Sequence, residues 1–323
     1  MNILVTGGAG YIGSVFVEQV LDAGHSVTVF DNLTEGHRSA VDPRATFVQG
    51  DFNDRDVIHH ALAKAQPEVV VHFAANALVG ESMTNPSKYF RNNVGGGLNL
   101  LDACVASGVR KFVFSSTCAT YGPPDRVPMD EDLPQRPINP YGESKLMFEK
   151  ILAWYRQIHG LDFVAFRYFN AAGASRCFGE HHRVETHLIP NVLQVALGKR
   201  THCEIYGVDY PTPDGTCIRD YIHIADLGAA HLLALETKAS GFYNLGNGEG
   251  FSVRQVIDVC ARISGKPIPV VEKPRRPGDP ARLIAAAQRA RQDLGWQPRL
   301  PNLEDIVATA WDWHQRHPDG YPD

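Results

Sequence analysis

Met1-Asn2-Ile3-Leu4-Val5-Thr6-Gly7-Gly8-Ala9-Gly10-Tyr11-Ile12-Gly13 is the stretch on which the fold turns. An apolar, β-branched run enters a glycine cluster that satisfies both a GxGxxG and a GxxGxxG spacing, and a helical pattern follows at once. Glycine permits the tight turn and lets a pyrophosphate come close to the backbone. The diphosphate then lies over the unpaired N–H groups and positive end of the helix, while Gly13 lets helix and strand pack closely. A glycine-rich turn without a ligand satisfies the same spacing; the position between strand and helix is what favours a dinucleotide.

Working outward, apolar runs at 2–6, 26–31, 46–49, 68–72, 111–115 and 162–167 alternate with helical patterns at 12–23, 54–65, 88–107 and 141–159. This alternation predicts a Rossmann-type α/β fold, a doubly wound parallel sheet covered on both faces. The two long helical patterns carry spaced apolar residues (Leu98, Leu101, Val105; Leu146, Ile151, Leu152, Tyr155) that suit a core or a subunit interface. After about Asn170 the alternation fades, and short segments at 203–207 and 267–272 interrupt helical ones. The expected division is a dinucleotide-binding domain over 1–169 and a smaller mixed α/β substrate domain over 170–323. Parts of 220–247 are expected to return to the first domain, with 221–235 read as helix and 242–245 as strand.

The second strand ends Val29-Phe30-Asp31-Asn32, which puts a carboxylate about twenty residues beyond the glycines, where it accepts hydrogen bonds from both adenine-ribose hydroxyls. Asp31 therefore selects NAD, because a 2′-phosphate would meet a like charge there. Asp51, in Gly50-Asp51-Phe52 after the third strand, suits the adenine edge or simply a turn.

Composition narrows the partners. The 323 residues are 44% apolar and 21% charged, with 31 basic against 36 acidic side chains and a formal net charge of −5. No Lys/Arg-rich run is present, so neither nucleic acid nor an anionic membrane is an expected partner. The best apolar stretch, 69–80, is short and contains His72 and Asn76, which excludes a membrane-spanning helix. The opening residues lack a signal-peptide pattern, and a cytoplasmic location is the default expectation. Six cysteines without a CxxC pair fit reduced thiols. The histidine doublets His59-His60 and His181-His182 read as solvated surface, and no metal site is expected.

Farther along, Phe112-Val113-Phe114-Ser115-Ser116-Thr117 carries a buried strand into hydroxyl-bearing residues, and Pro140-Tyr141-Gly142-Glu143-Ser144-Lys145 follows. Tyr141 and Lys145 are four apart, which on a helix places phenol and ammonium on one face. A strand-end hydroxyl such as Thr117 reaches the same substrate oxygen. Beside a dinucleotide turn this is a candidate proton-transfer unit. A free tyrosine titrates near pH 10, so a neutral-pH base needs about 4 kcal/mol of help. Lys145 at about 6 Å offers under roughly 3 kcal/mol at an effective dielectric near 20, and the oxidised nicotinamide is expected to supply the remainder.

These residues resemble the extended short-chain dehydrogenase/reductase family and, within it, the UDP-galactose (UDP-glucose) 4-epimerase branch, over essentially the whole length. The narrower resemblance rests on Val71-His72-Phe73-Ala74-Ala75, Asn92-Asn93-Val94, Ser115-Ser116-Thr117-Cys118-Ala119-Thr120-Tyr121-Gly122, Arg167-Tyr168-Phe169-Asn170, Arg219-Asp220-Tyr221-Ile222-His223 and the closing His317-Pro318-Asp319-Gly320-Tyr321-Pro322-Asp323. It implies 4-epimerisation of a UDP-sugar through a transient 4-keto sugar, with NAD as cofactor and a homodimer packed through the two long helices. Tyr141 would take the proton of the sugar 4-hydroxyl, Thr117 would bond that oxygen, and Lys145 would hold the nicotinamide ribose and tune Tyr141. The implied NAD site comprises Gly7, Gly10, Tyr11, Ile12, Gly13, Asp31, Asn32, Asp51, Phe52, Phe73, Ala74, Ala75, Asn92, Ser115, Tyr141, Lys145 and Tyr168. On the substrate, Arg219 and Arg276 would hold the diphosphate, Asp279 the uridine ribose and Tyr206 a uracil face. Asn170, His187 and Leu188 would line the phosphate–sugar region.

Three positions depart from relatives: Ala77 where some carry lysine, His187 where some carry asparagine, and Leu283 at the position that gates the sugar pocket. Cys118 and Ala119 stand where 4,6-dehydratases place acidic residues, which disfavours that elimination. A UDP-pentose or UDP-glucuronate 4-epimerase shares the chemistry and remains open, and a non-catalytic NAD sensor is the alternative of a different class.

Overall fold

The computed structural model describes residues 1–276 and 278–322; Pro277, beside the expected diphosphate ligand Arg276, and the C-terminal Asp323 lie outside the described residues. The first half forms β1 (Asn2–Thr6), β2 (Ser26–Asp31), β3 (Thr46–Gln49), β4 (Val69–His72), β5 (Lys111–Thr117) and β6 (Asp162–Tyr168). The second contributes β7 (Asn170–Ala172), β8 (Cys203–Tyr206), β9 (Ile218–His223), β10 (Gly241–Leu245), β11 (Gly250–Ser252), β12 (Val270–Lys273) and β13 (Arg282–Leu283). The main sheet runs β10-β6-β5-β4-β1-β2-β3 with every pairing parallel.

Its strands read as continuous apolar runs because both faces are covered. Successive side chains alternate between faces, so Ile3, Val5, Val69 and Val71 enter one core, with Phe16, Leu227 and Trp296. Leu4 and Val70 enter the other, with Phe112, Phe148 and Leu152. A third core of Ile189, Leu193, Ile205, Val256, Leu303 and Trp311 belongs to the second half. There β9 carries β7, β11 and β13 in one small sheet, and β8 pairs with β12 in another.

Strand order reverses beside β1: the chain proceeds outward through β2 and β3, then returns to the other side of β1 as β4. Crevices at such reversals, outside the carboxyl ends of the strands, are where open α/β sheets bind ligands. A Cβ at Gly7, just past β1, would lie 2.5 Å from the backbone nitrogen of Ala74, just past β4. The two strand ends are in contact there because glycine leaves them room.

Two expectations fail locally. Instead of one helix over 88–107, the chain forms Pro86–Tyr89, a π-helical stretch Phe90–Gly96 and an α-helix Gly97–Ala106. The glycines of Gly95-Gly96-Gly97 hold the helix weakly but pack tightly: a Cβ would lie 2.5 Å from Phe52 at Gly96 and 2.4 Å from Phe148 at Gly97. The helix read over 221–235 starts only at Ile224, because residues 218–223 form β9. His223 caps that helix, its Nδ1 accepting the Ala225 N–H at 3.0 Å. Among the described residues no helix is long and apolar enough to cross a membrane.

The tightest approach in the turn generates a prediction. A Cβ on Gly13 would sit 2.2 Å from the Gly7 carbonyl oxygen, whereas one on Gly80 meets nothing within 4 Å. Gly13→Ala should lower stability by about 2 kcal/mol or more and Gly80→Ala should leave the thermal midpoint nearly unchanged. Equal melting of the two variants would contradict the packing argument.

Candidate active site

The turn after β1 is built for close approach. Gly7 has φ of +74°, its N–H bonds the Phe30 carbonyl at 3.0 Å, and its own carbonyl accepts the Gly10 N–H at 3.2 Å. Gly10 caps the helix Tyr11–Asp22 without any side-chain hydrogen bond to the first turn. The helix therefore presents N–H groups to an anion. A Cβ at Gly7 or Gly13 would strike backbone, but one at Gly10 meets only the Gly7 oxygen at 3.4 Å, so the concave side of the turn is open there. This cradle fits the diphosphate of a dinucleotide.

At the end of β2 the Asp31 carboxylate, only 7% exposed, accepts the N–H of Ala9 at 3.0 Å and of Leu33 at 2.8 Å. Burial pushes its pKa up against these bonds. From there a polar relay runs through Asn32 to Asp51 at 3.2 Å, Asp51 to Asn53 at 2.8 Å and Asn53 to Asn92 at 3.1 Å. Of the other expected cofactor contacts, Phe52 is buried, Ile12, Ala74 and Ala75 are half-buried, and Tyr168 bonds the Ser115 hydroxyl. Tyr11 turns its hydroxyl to the Gly173 carbonyl at 2.6 Å, and Phe73 packs its ring on Phe16 and His231, so both serve packing as well as the cleft. Ala77 is exposed.

Tyr141 lies in the first turn of the helix Pro140–His159. Asn139 caps that helix, its side-chain oxygen accepting the Gly142 N–H at 2.8 Å, and Pro140 opens it. A Cβ at Gly142 would lie 2.5 Å from the Ala119 carbonyl oxygen; glycine thus lets the helix start directly against the turn that follows Thr117. The Thr117 side chain lies beside the Tyr141 phenol, where it favours the ionised form, and its hydroxyl oxygen accepts the Ala119 N–H at 3.1 Å. One turn along, the Lys145 ammonium donates to the Ser115 carbonyl at 2.8 Å and lies 4.8 Å from the centre of the Phe114 ring. The three expected catalytic side chains are brought together.

Their protonation is set mainly by burial. It pushes the Tyr141 phenol up to about 12, against the pull of the Thr117 hydroxyl. It draws Lys145 down to about 7, against the Glu149 carboxylate. The starting point of a neutral-pH phenolate is therefore farther away than a free tyrosine implies: about 7 kcal/mol rather than about 4. His72 falls to about 3 through burial and the neighbouring Lys145 and stays neutral.

Residues that the sequence reading missed hold the pair in place. Glu149, one turn beyond Lys145, forms a two-point pair with buried Arg167 at 2.9 and 2.7 Å and accepts the Ser116 hydroxyl at 2.5 Å. That ties the helix to β5 and β6. Asn93, inside the π-helical stretch, donates to the Ser144 hydroxyl at 3.0 Å and exchanges two bonds with the Asn76 backbone. The i,i+4 spacing of Lys145 and Glu149 and the triple glycine after Asn93 were the available signals.

Across the cleft, the Arg219 guanidinium pairs with Asp279, and the Arg276 guanidinium lies 4.1 Å from the centre of the Tyr206 ring. Asn170 donates to the Asp220 carbonyl at 2.8 Å. The Asp220 carboxylate accepts the N–H groups of Asn247, Gly248 and Ala285, and burial raises it to about 6. Leu283 is in register with Arg219 and packs with Cys118 against the cluster of Tyr121, Met129 and Phe169. His187 immediately precedes Leu188, the first residue of the helix Leu188–Ala196, with its Nδ1 between Glu185 at 2.9 Å and Glu180 at 3.0 Å. These carboxylates hold His187 up near 10, and the histidines hold Glu180 down near 2 despite burial. The surface reading of the His181-His182 doublet is corrected: both are half-buried, with His181 stacked on His37 at 4.6 Å and His182 bonded to Glu180 at 3.1 Å.

The chain is similar to known proteins over its whole length. The NAD dependent epimerase/dehydratase family matches residues 3–246. A UDP-glucose 4-epimerase of Lacticaseibacillus casei is 51% identical over 330 aligned residues, covering 100% of this chain and 99% of that protein. The solved UDP-glucose 4-epimerase of Brucella ovis, in complex with NAD, superposes with a TM-score of 0.94 at 47% identity, covering 97% of this chain and 98% of that one. The UDP-glucose 4-epimerase of Bifidobacterium longum, in complex with NAD+ and UDP, gives a TM-score of 0.94 at 36% identity over 99% of this chain and 100% of that one.

Proposed function

This chain belongs to the NAD dependent epimerase/dehydratase family, and from that premise we propose that it interconverts UDP-galactose and UDP-glucose by inverting C4. NAD is its cofactor. The observation that carries the reading is the Tyr141 phenol next to Thr117 and one helical turn from Lys145, at the carboxyl ends of the same parallel sheet as a glycine turn open to a diphosphate. Cys118 supports epimerisation over elimination, since burial pushes its thiol up to about 12 and removes it as an acid or base near neutrality.

When bound, NAD supplies the two-electron acceptor and donor for the sugar's C4 and, in its oxidised form, a positive charge near the reacting groups. Gly7, Gly10 and Gly13 with the first-turn N–H groups hold its diphosphate, and Asp31 its adenine ribose. The Tyr141 oxygen takes the proton of the sugar 4-hydroxyl, and the Thr117 hydroxyl fixes that oxygen at the phenol. Lys145, one helical turn along, would hold the nicotinamide ribose and, as an ammonium, favour the phenolate of Tyr141. Once the 4-keto sugar has turned its other face to the cofactor site, so that C4 would be reduced from that face, the same phenol returns the proton to the C4 oxygen, and no net oxidation results. Arg219, Arg276, Tyr206 and Asp279 grip the nucleotide while the hexose stays loosely held. Paired guanidinium bonds suit that grip. Leu283 stands at the position that gates the sugar pocket, and the N-acetyl sugar in the assay below reads whether a 2-acetamido group passes it.

Each of UDP-galactose, UDP-N-acetylgalactosamine, UDP-arabinopyranose and UDP-galacturonate should be incubated separately with the protein and the products chromatographed. Conversion of the first alone is expected, and Tyr141→Phe should lower kcat by at least about 100-fold while nucleotide binding persists. Absence of product from UDP-galactose, or full turnover by the variant, contradicts the proposal.

We also propose a homodimer packed through the helices Gly97–Ala106 and Pro140–His159. The apolar residues on these helices divide: Leu101, Leu146 and Leu152 are core, whereas Leu98, Met147, Trp154 (59% exposed) and Ile158 (67% exposed) face outward. Sedimentation should give a dimer that Trp154→Glu converts to monomer; a monomeric parent protein would refute the packing.

A further inference from the structure

We propose that Glu180, His182, Glu185 and His187 form a binding site for a divalent transition metal of the zinc class. One ligand atom from each side chain lies within 4.8 Å of the other three. His182 Nε2 is 3.1 Å and His187 Nδ1 3.0 Å from the same Glu180 oxygen, and His187 Nδ1 is 2.9 Å from Glu185. Around zinc, with bonds of about 2.0–2.1 Å, neighbouring ligand atoms in a tetrahedron stand about 3.3 Å apart; the three pairs just named need move only tenths of an ångström, and the remaining pairs, up to 4.8 Å apart, must draw in farther. Two carboxylates and two neutral imidazoles balance a divalent charge. A nitrogen–oxygen set without sulfur is one that zinc accepts.

The four donors come from an irregular segment between β7 and the helix Leu188–Ala196, which is how residues 180, 182, 185 and 187 converge without helical spacing. The imidazoles of His182 and His187 sit 4.8 Å apart, centre to centre. Glu180, at 5% exposure, forms the floor. A separate observation supports a guest: a cavity of about 100 Å³ opens on three of the four side chains, Glu180, His182 and Glu185, with His314 on its wall and His187 outside its lining. It is polar and holds more than one water-sized particle, as a cation that keeps a water requires. Lys199 also borders this cavity, but its ammonium is committed to Asp319 at 2.7 Å and to the Pro318 carbonyl. The competing arrangement is a protonated His187 between the two carboxylates, which satisfies the same charges with no metal.

The metal would fix the residues leading into the helix Leu188–Ala196 and engage His187 through Nδ1, leaving its Nε2 edge toward solvent or ligand. The test measures binding rather than turnover, so its outcome is independent of the epimerase reading. Full-length protein stripped with chelator is titrated with Zn2+ against a chromophoric chelator, and with Co2+ under visible absorption. One zinc per chain is expected, with the strong visible bands of four-coordinate cobalt. His182→Ala, at a partly exposed side chain, and Glu185→Gln, a near-isosteric change at a largely buried one, should weaken affinity by at least about 100-fold while far-UV dichroism is unchanged. Zinc binding equal in parent and variants, or no binding in competition, establishes the proton-only arrangement or adventitious histidine binding and overturns the proposal.

Discussion

Burial of the Tyr141–Lys145 pair is the constraint on which the rest of this structure depends. Taking a phenol and an ammonium out of water disfavours the charged form of each, and here it separates them to about 12 and about 7. The protein alone thus stores the pair as neutral phenol and partly discharged amine. Chemistry at neutral pH needs a positive charge delivered from outside the chain, and the glycine turn that suits the cofactor lies at the carboxyl end of the same parallel sheet. What the fold contributes is position. Gly142 lets the helix start against Ala119, Asn139 caps it, and Lys145 reaches the Ser115 carbonyl at the end of β5.

The supporting network is itself expensive to disturb. Glu149 and Arg167 are buried together with their hydrogen bonds filled by Ser116, Gln135 and Tyr121. Removing one partner of such a pair leaves an uncompensated charge and costs about 3–5 kcal/mol. Substituting Glu149 or Arg167 therefore disturbs the site from outside the Tyr141, Lys145 and Thr117 trio. The same helix carries the pair, anchors to the sheet and exposes Trp154 and Ile158, so proton transfer, folding and the proposed subunit contact share one element.

Much of this was legible in the sequence. The strands β1 to β6 announced themselves because burial on both faces demands unbroken apolar runs, and the glycine turn because its spacing follows one of them. Tyr141, Lys145 and Thr117 were legible as a local pattern on one helix and one strand end. The π-helical stretch at 90–96 was not, since its cause is contact of Gly96 and Gly97 with Phe52 and Phe148 from elsewhere in the chain. Nor was β9, Ile218–His223, because Arg219, Asp220 and His223 break up its apolar pattern and the helix that His223 caps follows without an intervening turn. The cluster of Glu180, His182, Glu185 and His187 has no regular period, and only the folded path of the segment gathers it. The direction of the Tyr141 displacement also escaped the sequence, because pattern says where a phenol sits on a helix and nothing about how dry it is.

The central claim is that Tyr141 becomes a proton acceptor only when a cation stands beside it. The most direct measurement is the ultraviolet titration of its phenolate in protein loaded with NAD+ and with NADH. The other ten of the chain's 11 tyrosines are removed by subtracting the Tyr141→Phe spectrum. The account predicts ionisation several pH units lower with NAD+, approaching neutrality, and above the free-tyrosine value with NADH. Equal titration in the two forms would contradict it.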